Sequence, residues 1–170
     1  MDRPHRTWTF FLVLLAGLLC ALPAASQTVL LVVREKVDSA ALPPPLPVRE
    51  GISDGLFNAG VIVLDAPGSA PVPGAPQLAR MAQAAGADAV LEVATEYADT
   101  RLGADLLRIF ARTRYSLIDS STSGVIGSGT EEATNRDREN VVDRAALGGE
   151  VGRKVAEQVK RLLDGRSQAR

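Results

Sequence analysis

The stretch Leu106–Asp119 limits what this chain can become more than any other. Successive side chains of a strand point to opposite sides. Leu107, Ile109, Ala111, Tyr115 and Leu117 fall on one side, and Arg108, Arg112 and Arg114 fall on the other, with Phe110 among them. A strand with one apolar and one charged side belongs to an antiparallel region that is covered on one face and wet on the other. Ala89–Ala98 repeats the pattern, with Leu91, Val93, Thr95 and Tyr97 on one side and Glu92 and Glu96 on the other. Val125–Ala133 reads as the hairpin partner of the long strand, reached through Ser120–Gly124, a turn composition. Asp119 before that turn fits a capping role, because an Asp side chain bonds the backbone two residues on.

The remaining elements follow from apolar spacing. Thr28–Val33 is a short valine-rich run that reads as a buried strand. The prolines at 43–47 mark a loop. Val48, Ile52, Leu56 and Ala59 recur at helical spacing, and Gly60 supplies the stop. Val61–Leu64 is a second short strand, and the Pro/Gly-rich residues 66–76 connect it onward. Pro76–Ala85 reads as a helix with Leu78, Met81, Ala82 and Ala85 on its apolar face and Gly86 at its end. A last helix, 144–163, places Val151, Val155, Val159 and Leu162 on one stripe. Gly148, Gly149 and Gly152 weaken it by up to about 1 kcal/mol each relative to Ala, which is consistent with a close helix–sheet approach. The order β-α-β-α-β-β-β-α predicts an α+β fold, a two-layer α/β sandwich. Its mixed five-stranded sheet has early parallel pairing, a later antiparallel meander and the helices on one face.

Residues 1–26 have the tripartite pattern of a secretory signal peptide. Arg3, His5 and Arg6 precede an apolar run from Trp8 to Leu22, and Ala24 and Ser26 fit the small positions before a cleavage at Gln27. That run is shorter than the roughly 20 residues needed to cross a bilayer as a helix, so cleavage is favoured over a retained anchor. Leu18 and Leu19 precede Cys20 where a lipid-modified cysteine has a small residue, so Cys20 reads as a member of the apolar run. The expected mature domain, 27–170, loses Arg3, Arg6 and Asp2. That leaves 17 basic and 19 acidic residues and a net charge of −2. No basic footprint for nucleic acid is present.

The leader also carries the chain's one Cys, one His and one Trp. A mature domain without them has no Ser-His-Asp or Cys-His catalytic group and no Cys/His zinc site. Gly148–Val155 resembles a phosphate loop superficially but lacks its GK[ST] ending. Lys36 near Ser39 reads as a solvated lysine at a strand end. Carboxylates are the plentiful acid–base groups: Glu92, Glu96, Asp99, Asp119, Glu131 and Glu132. Glycoside hydrolysis by such a pair is disfavoured by an aromatic set of four, Phe57, Tyr97, Phe110 and Tyr115. No cofactor or metal is expected.

Three segments carry a family resemblance. AAGADAVLEV (84–93), LFNAGVIVLDA (56–66) and YSLIDSSTSGVIGSG (115–129) resemble the helix-to-strand steps and the long hairpin of TolB amino-terminal domains and of CsgG-type and LpoB-type envelope proteins. The resemblance spans about 28–163 and implies a periplasmic α/β module that acts by binding other envelope proteins, with no catalytic residues.

Two readings of the charged sheet face stay open. One is a solvated surface on which Glu92 and Glu96 face Arg108, Arg112 or Arg114, each cross-strand pair contributing roughly 0.2–1 kcal/mol. The other is a docking surface for an envelope protein, on that face or by strand addition at a sheet edge. Its candidate contact residues are Glu92, Glu96, Arg108, Phe110, Arg112 and Arg114. The functional expectation is a non-enzymatic interaction module, periplasmic or secreted. The alternative is a small-ligand or sensory domain with a cleft bordered by loops 40–47 and 66–76.

Overall fold

The computed structural model describes residues 27–37, 40–41, 46–66, 74–101, 107–134 and 144–168; for strand residues 37, 40–41, 99–101 and 107–109 it describes the backbone alone. Residues 1–26, expected to be a leader, most of both Pro-rich loops and Ser39 lie outside the described residues. The elements are β1 (Thr28–Val37), β2 (Ala40–Ala41), α1 (Pro47–Asn58), β3 (Ile62–Asp65), α2 (Ala75–Ala84), β4 (Ala89–Arg101), β5 (Leu107–Asp119), β6 (Val125–Thr134) and α3 (Arg144–Gln168).

Five main strands form one mixed sheet, with the two-residue β2 added beside the end of β1. β1 lies between β3 and β4 and is parallel to both. β4, β5 and β6 then form the antiparallel meander. This is the expected α+β fold with three helices. β1 runs four residues beyond its expected end, because the long β4 gives it a partner as far as Tyr97 opposite Val37.

The main core lies on one face. Val29, Leu31, Leu91, Val93, Ala111 and Leu117 meet Val48, Ile52 and Leu56 of α1 and Val151, Val155, Val159 and Leu163 of α3. The second helix departs from the expectation that all helices share that face. Leu78 and Ala82 of α2 pack on Leu30, Val90 and Ile118, whose parity puts them on the opposite side. These apolar residues sit at the end of the sheet where β1 begins, and α2 covers that end alone.

α1 and α3 touch through small residues. A Cβ on Gly51 would lie 2.5 Å from the Gly149 carbonyl oxygen, and one on Gly152 would lie 2.5 Å from that of Val48. The expected helix–sheet approach of the α3 glycines is therefore mainly a helix–helix approach. Gly148 alone also faces the sheet, where a Cβ would meet the Tyr97 hydroxyl. The glycines read as helix stops do that work: Gly60 and Gly86 have φ of +77° and +72°. The amides of Val61 and Ala87 bond back to Leu56 and Ala82.

Two buried carboxyls hold the ends of this layer. Leu46 precedes α1 without a side-chain cap of its own. The cap comes from β1 instead: Glu35 Oε1 accepts from the amides of Val48 (2.9 Å) and Arg49 (3.2 Å), and its Oε2 accepts from the Tyr97 hydroxyl (2.8 Å). A carboxylate beside the first-turn amides also faces the positive end of the helix dipole. Burial pushes the Glu35 carboxyl above the usual range, against the bonds from Tyr97, Arg49 and Val48.

Asp119 caps the β5–β6 turn as expected. Its Oδ1 accepts from the Ser121 amide (2.7 Å), the Ser121 hydroxyl (2.6 Å) and the Thr122 amide (2.9 Å), and its Oδ2 pairs with Arg166 of α3. Burial pushes this carboxyl up. The Ser121 hydroxyl, the two amides and Arg166 outweigh it and bring the pKa to about 2. A carboxyl depressed below its unfolded value of 3.8 contributes stability above that value and loses it as pH falls toward 2. In Asp119→Asn, thermal unfolding should therefore show a lower Tm near neutrality, by about 2 kcal/mol of stability. Its acid limb from about pH 4 to about pH 2 should be flatter than that of the parent.

Candidate functional site: the charged sheet face

Beyond the end covered by α2, the second face of the sheet carries ordered rows of side chains. Strand register sets each row. One row runs Val32, Glu92, Ser116, Ser128; the next Arg34, Ala94, Arg114, Thr130; the next Lys36, Glu96, Arg112, Glu132. Ala98, Phe110 and Thr134 follow. Charge thus alternates by strand: cations on β1 and β5, carboxylates on β4 and β6.

The expected six residues share this face by parity; Glu96 pairs with a β5 arginine as expected, while Glu92 pairs with a β1 arginine. Glu96 stands opposite Arg112 in register, yet its ion pair is with Arg114, at 3.4 Å. Arg112 pairs instead with Glu132 of β6, at 2.6 Å. Glu92 pairs with Arg34 of β1 at 2.7 Å, while Arg112 and Arg114 pair with other carboxylates. Phe110 is half-buried. Arg108 holds the register position opposite Thr100, and its side chain lies outside the described residues.

Sequence reading missed Arg34, Lys36 and Glu132 as members of this face. Arg34 and Lys36 share the parity of Leu30 and Val32, so extending β1 by four residues would have found them. The side chains of Arg112 and Arg114 are each 64% exposed, so water screens these pairs and they contribute little to the fold. A depression of about 250 Å³ opens over Ala94, lined by Arg34, Lys36, Ala94, Thr95, Glu96 and Arg114. A second, of about 390 Å³, is lined by Gly55 of α1 and Ala59 at its end and by Arg153, Ala156 and Lys160 of α3, on the helix-covered side of the sheet.

The carboxyls with displaced pKa, Glu35 and Asp119, lie on the helix-covered face and are engaged as caps. Among the described residues, no group of three or more His, Cys, Asp or Glu is placed to hold a metal ion. No helix of the described residues is long and apolar enough to cross a membrane. What the face can offer is multivalent exchange of ion pairs with an opposing charged surface.

No family model matches the chain, and no curated protein matches it. Solved structures do. The PelC dodecamer from Paraburkholderia phytofirmans superposes with a TM-score of 0.58 at 18% identity, covering 79% of this chain and 87% of that one. The hypothetical protein CT253 from Chlamydia trachomatis gives 0.56 at 18% identity, over 80% of this chain and 96% of that one. Lipoprotein GNA1162 from Neisseria meningitidis gives 0.50 at 18% identity, over 79% and 99%. The chain therefore has a fold that a bacterial lipoprotein also uses. At such identities the likeness is one of fold. The expected relation to TolB or CsgG-type domains keeps only this coarser half.

Proposed function

We propose that the chain is a non-enzymatic interaction module of the bacterial cell envelope, periplasmic after cleavage near Ser26/Gln27, and that it docks an envelope protein on its charged sheet face. The observation that carries this reading is the division of the second face. α2 covers the apolar end, and the charged rows beside it stay exposed among the described residues. An interior-facing sheet surface has no need of such rows, and their pairs are too exposed to act mainly as fold stabilisers.

Two further points support it. A carboxylate enzyme needs paired acids with displaced pKa in a cleft. Glu35 is the one carboxyl pushed up among the described residues, and three donors already occupy it. The same fold is also found in an assembly of copies, the PelC dodecamer.

The test is charge reversal. In Arg112→Glu combined with Arg114→Glu, recovery of the partner from envelope extracts should be abolished. The Tm should move by only a few degrees, since exposed pairs contribute about 0.2–1 kcal/mol each. Undiminished recovery of the same partner by the double variant would exclude this face.

A further inference from the structure

The rows of the charged face are not equally complete. The row through Glu96 alternates fully, as Lys36, Glu96, Arg112, Glu132. In the row beside it, β4 contributes Ala94, so Arg34 and Arg114 flank a methyl group where the pattern of the strand calls for a carboxylate. Both arginines turn diagonally to find one. Arg34 reaches Glu92 at 2.7 Å, while Arg114 reaches Glu96 only at 3.4 Å, longer than a good charge-assisted bond of about 2.7–2.9 Å. Lys36 makes no ion pair or hydrogen bond among the described residues and stands on the rim of the same depression. The space over Ala94, about 250 Å³, accommodates a side chain and not a packed element.

We propose that an acidic segment of the partner protein docks here, placing an Asp or Glu carboxylate over Ala94 between Arg34, Arg114 and Lys36. The partner completes the charge ladder that the alanine interrupts. This inference rests on the reading of the face as a docking surface and adds the chemistry of what docks. Charge complementarity selects the occupant: the described side chains of the three rows include four cations, Arg34, Lys36, Arg112 and Arg114, against three carboxylates, Glu92, Glu96 and Glu132. The expected mature domain as a whole is acidic, so this face is a local reversal of its charge. Attraction of this kind is strongest at low salt and fades as the Debye length shortens.

The experiment uses a fluorescein-labelled octaglutamate peptide, titrated against the mature domain by fluorescence anisotropy. The wild type should bind it at about 20 mM salt and lose most of that binding by about 300 mM. Ala94→Glu installs the missing carboxylate from within, so binding should weaken about ten-fold or more, with an unchanged Tm. Ala94→Gln, similar in size and uncharged, should weaken it distinctly less. No octaglutamate binding at low salt overturns the proposal. So does equal binding by wild type and Ala94→Glu, an equal loss in Ala94→Glu and Ala94→Gln, or saturation by free glutamate at the same concentration as the peptide. If the cellular partner is lost in the Arg112/Arg114 double variant yet kept in Ala94→Glu, the docking face stands and the acidic contact falls.

Discussion

Gly152→Val should lower the melting temperature of the domain spanning 27–170 by about 10 °C, a loss of about 3 kcal/mol or more. Gly152 lies in the middle of α3, where glycine is a poor helix former, so propensity alone favours valine by a fraction of about 1 kcal/mol. Packing opposes it and wins. A Cβ at this position would lie 2.5 Å from the Val48 carbonyl oxygen and 3.0 Å from both Gly51 Cα and the Ile52 nitrogen. All three are backbone atoms of α1, which Glu35 holds at its first turn, so no side-chain rotation relieves the clash. Two branched methyls on that Cβ force the helices apart over Val151, Val155, Val48 and Ile52, which are fully buried. Gly165→Ala provides the contrast in the same helix. Its Cβ would meet nothing within 4 Å, so the substitution should raise stability by up to about 1 kcal/mol. Thermal unfolding followed by circular dichroism checks both signs at once.

Glu35→Ala should be comparably damaging, at about 3–5 kcal/mol. It strands two first-turn amides and the Tyr97 hydroxyl without acceptors, each costing about 1–3 kcal/mol when buried. Glu35 is 3% exposed, so water does not readily replace the carboxylate. Glu35→Gln keeps a carbonyl for the two amides and should lose distinctly less. The pH dependence separates cap from charge. The folded carboxyl is raised above its unfolded value of 4.5, so the native state binds its proton more tightly. Its contribution is most favourable below that value and declines as pH rises through the folded pKa. The glutamine variant lacks this decline, so the stability gap between it and the wild type should narrow from acid toward neutral pH. A gap that widens instead would show that the buried charge is a net asset to the native state.

Particular residues show what the sequence could reveal. Parity along β4 and β5 assigned the two faces correctly, because side-chain alternation is a property of the strand itself. The Asp119 turn and the Gly60 and Gly86 stops were equally local, and each was legible. Pairing on the charged face was not, since register depends on how strands meet and not on either strand alone. Hence Glu92 was matched with β5 when it belongs to Arg34. The side chosen by α2 was hidden for a related reason. Leu78 and Ala82 define an apolar stripe, but the stripe does not say which sheet face it meets. The best missed clue was Glu35. It is a carboxyl at a position whose parity with Leu31 and Val33 marks it as buried, and such a group requires donors. The glycines of α3 announced a close approach, and only the position of α1 shows what approaches.

In the cell, the charged face should meet another envelope protein. A photo-crosslinking amino acid placed at Thr130, an exposed position in the Arg34–Ala94–Arg114 row, tests it in intact cells, with Asp54 on the exposed side of α1 as the control position. Irradiation followed by mass spectrometry should give one reproducible envelope-protein adduct from Thr130, absent from Asp54 and lost when Arg112 and Arg114 are reversed to glutamate. No adduct from Thr130, or the same adduct from both positions, would contradict the assignment of this face.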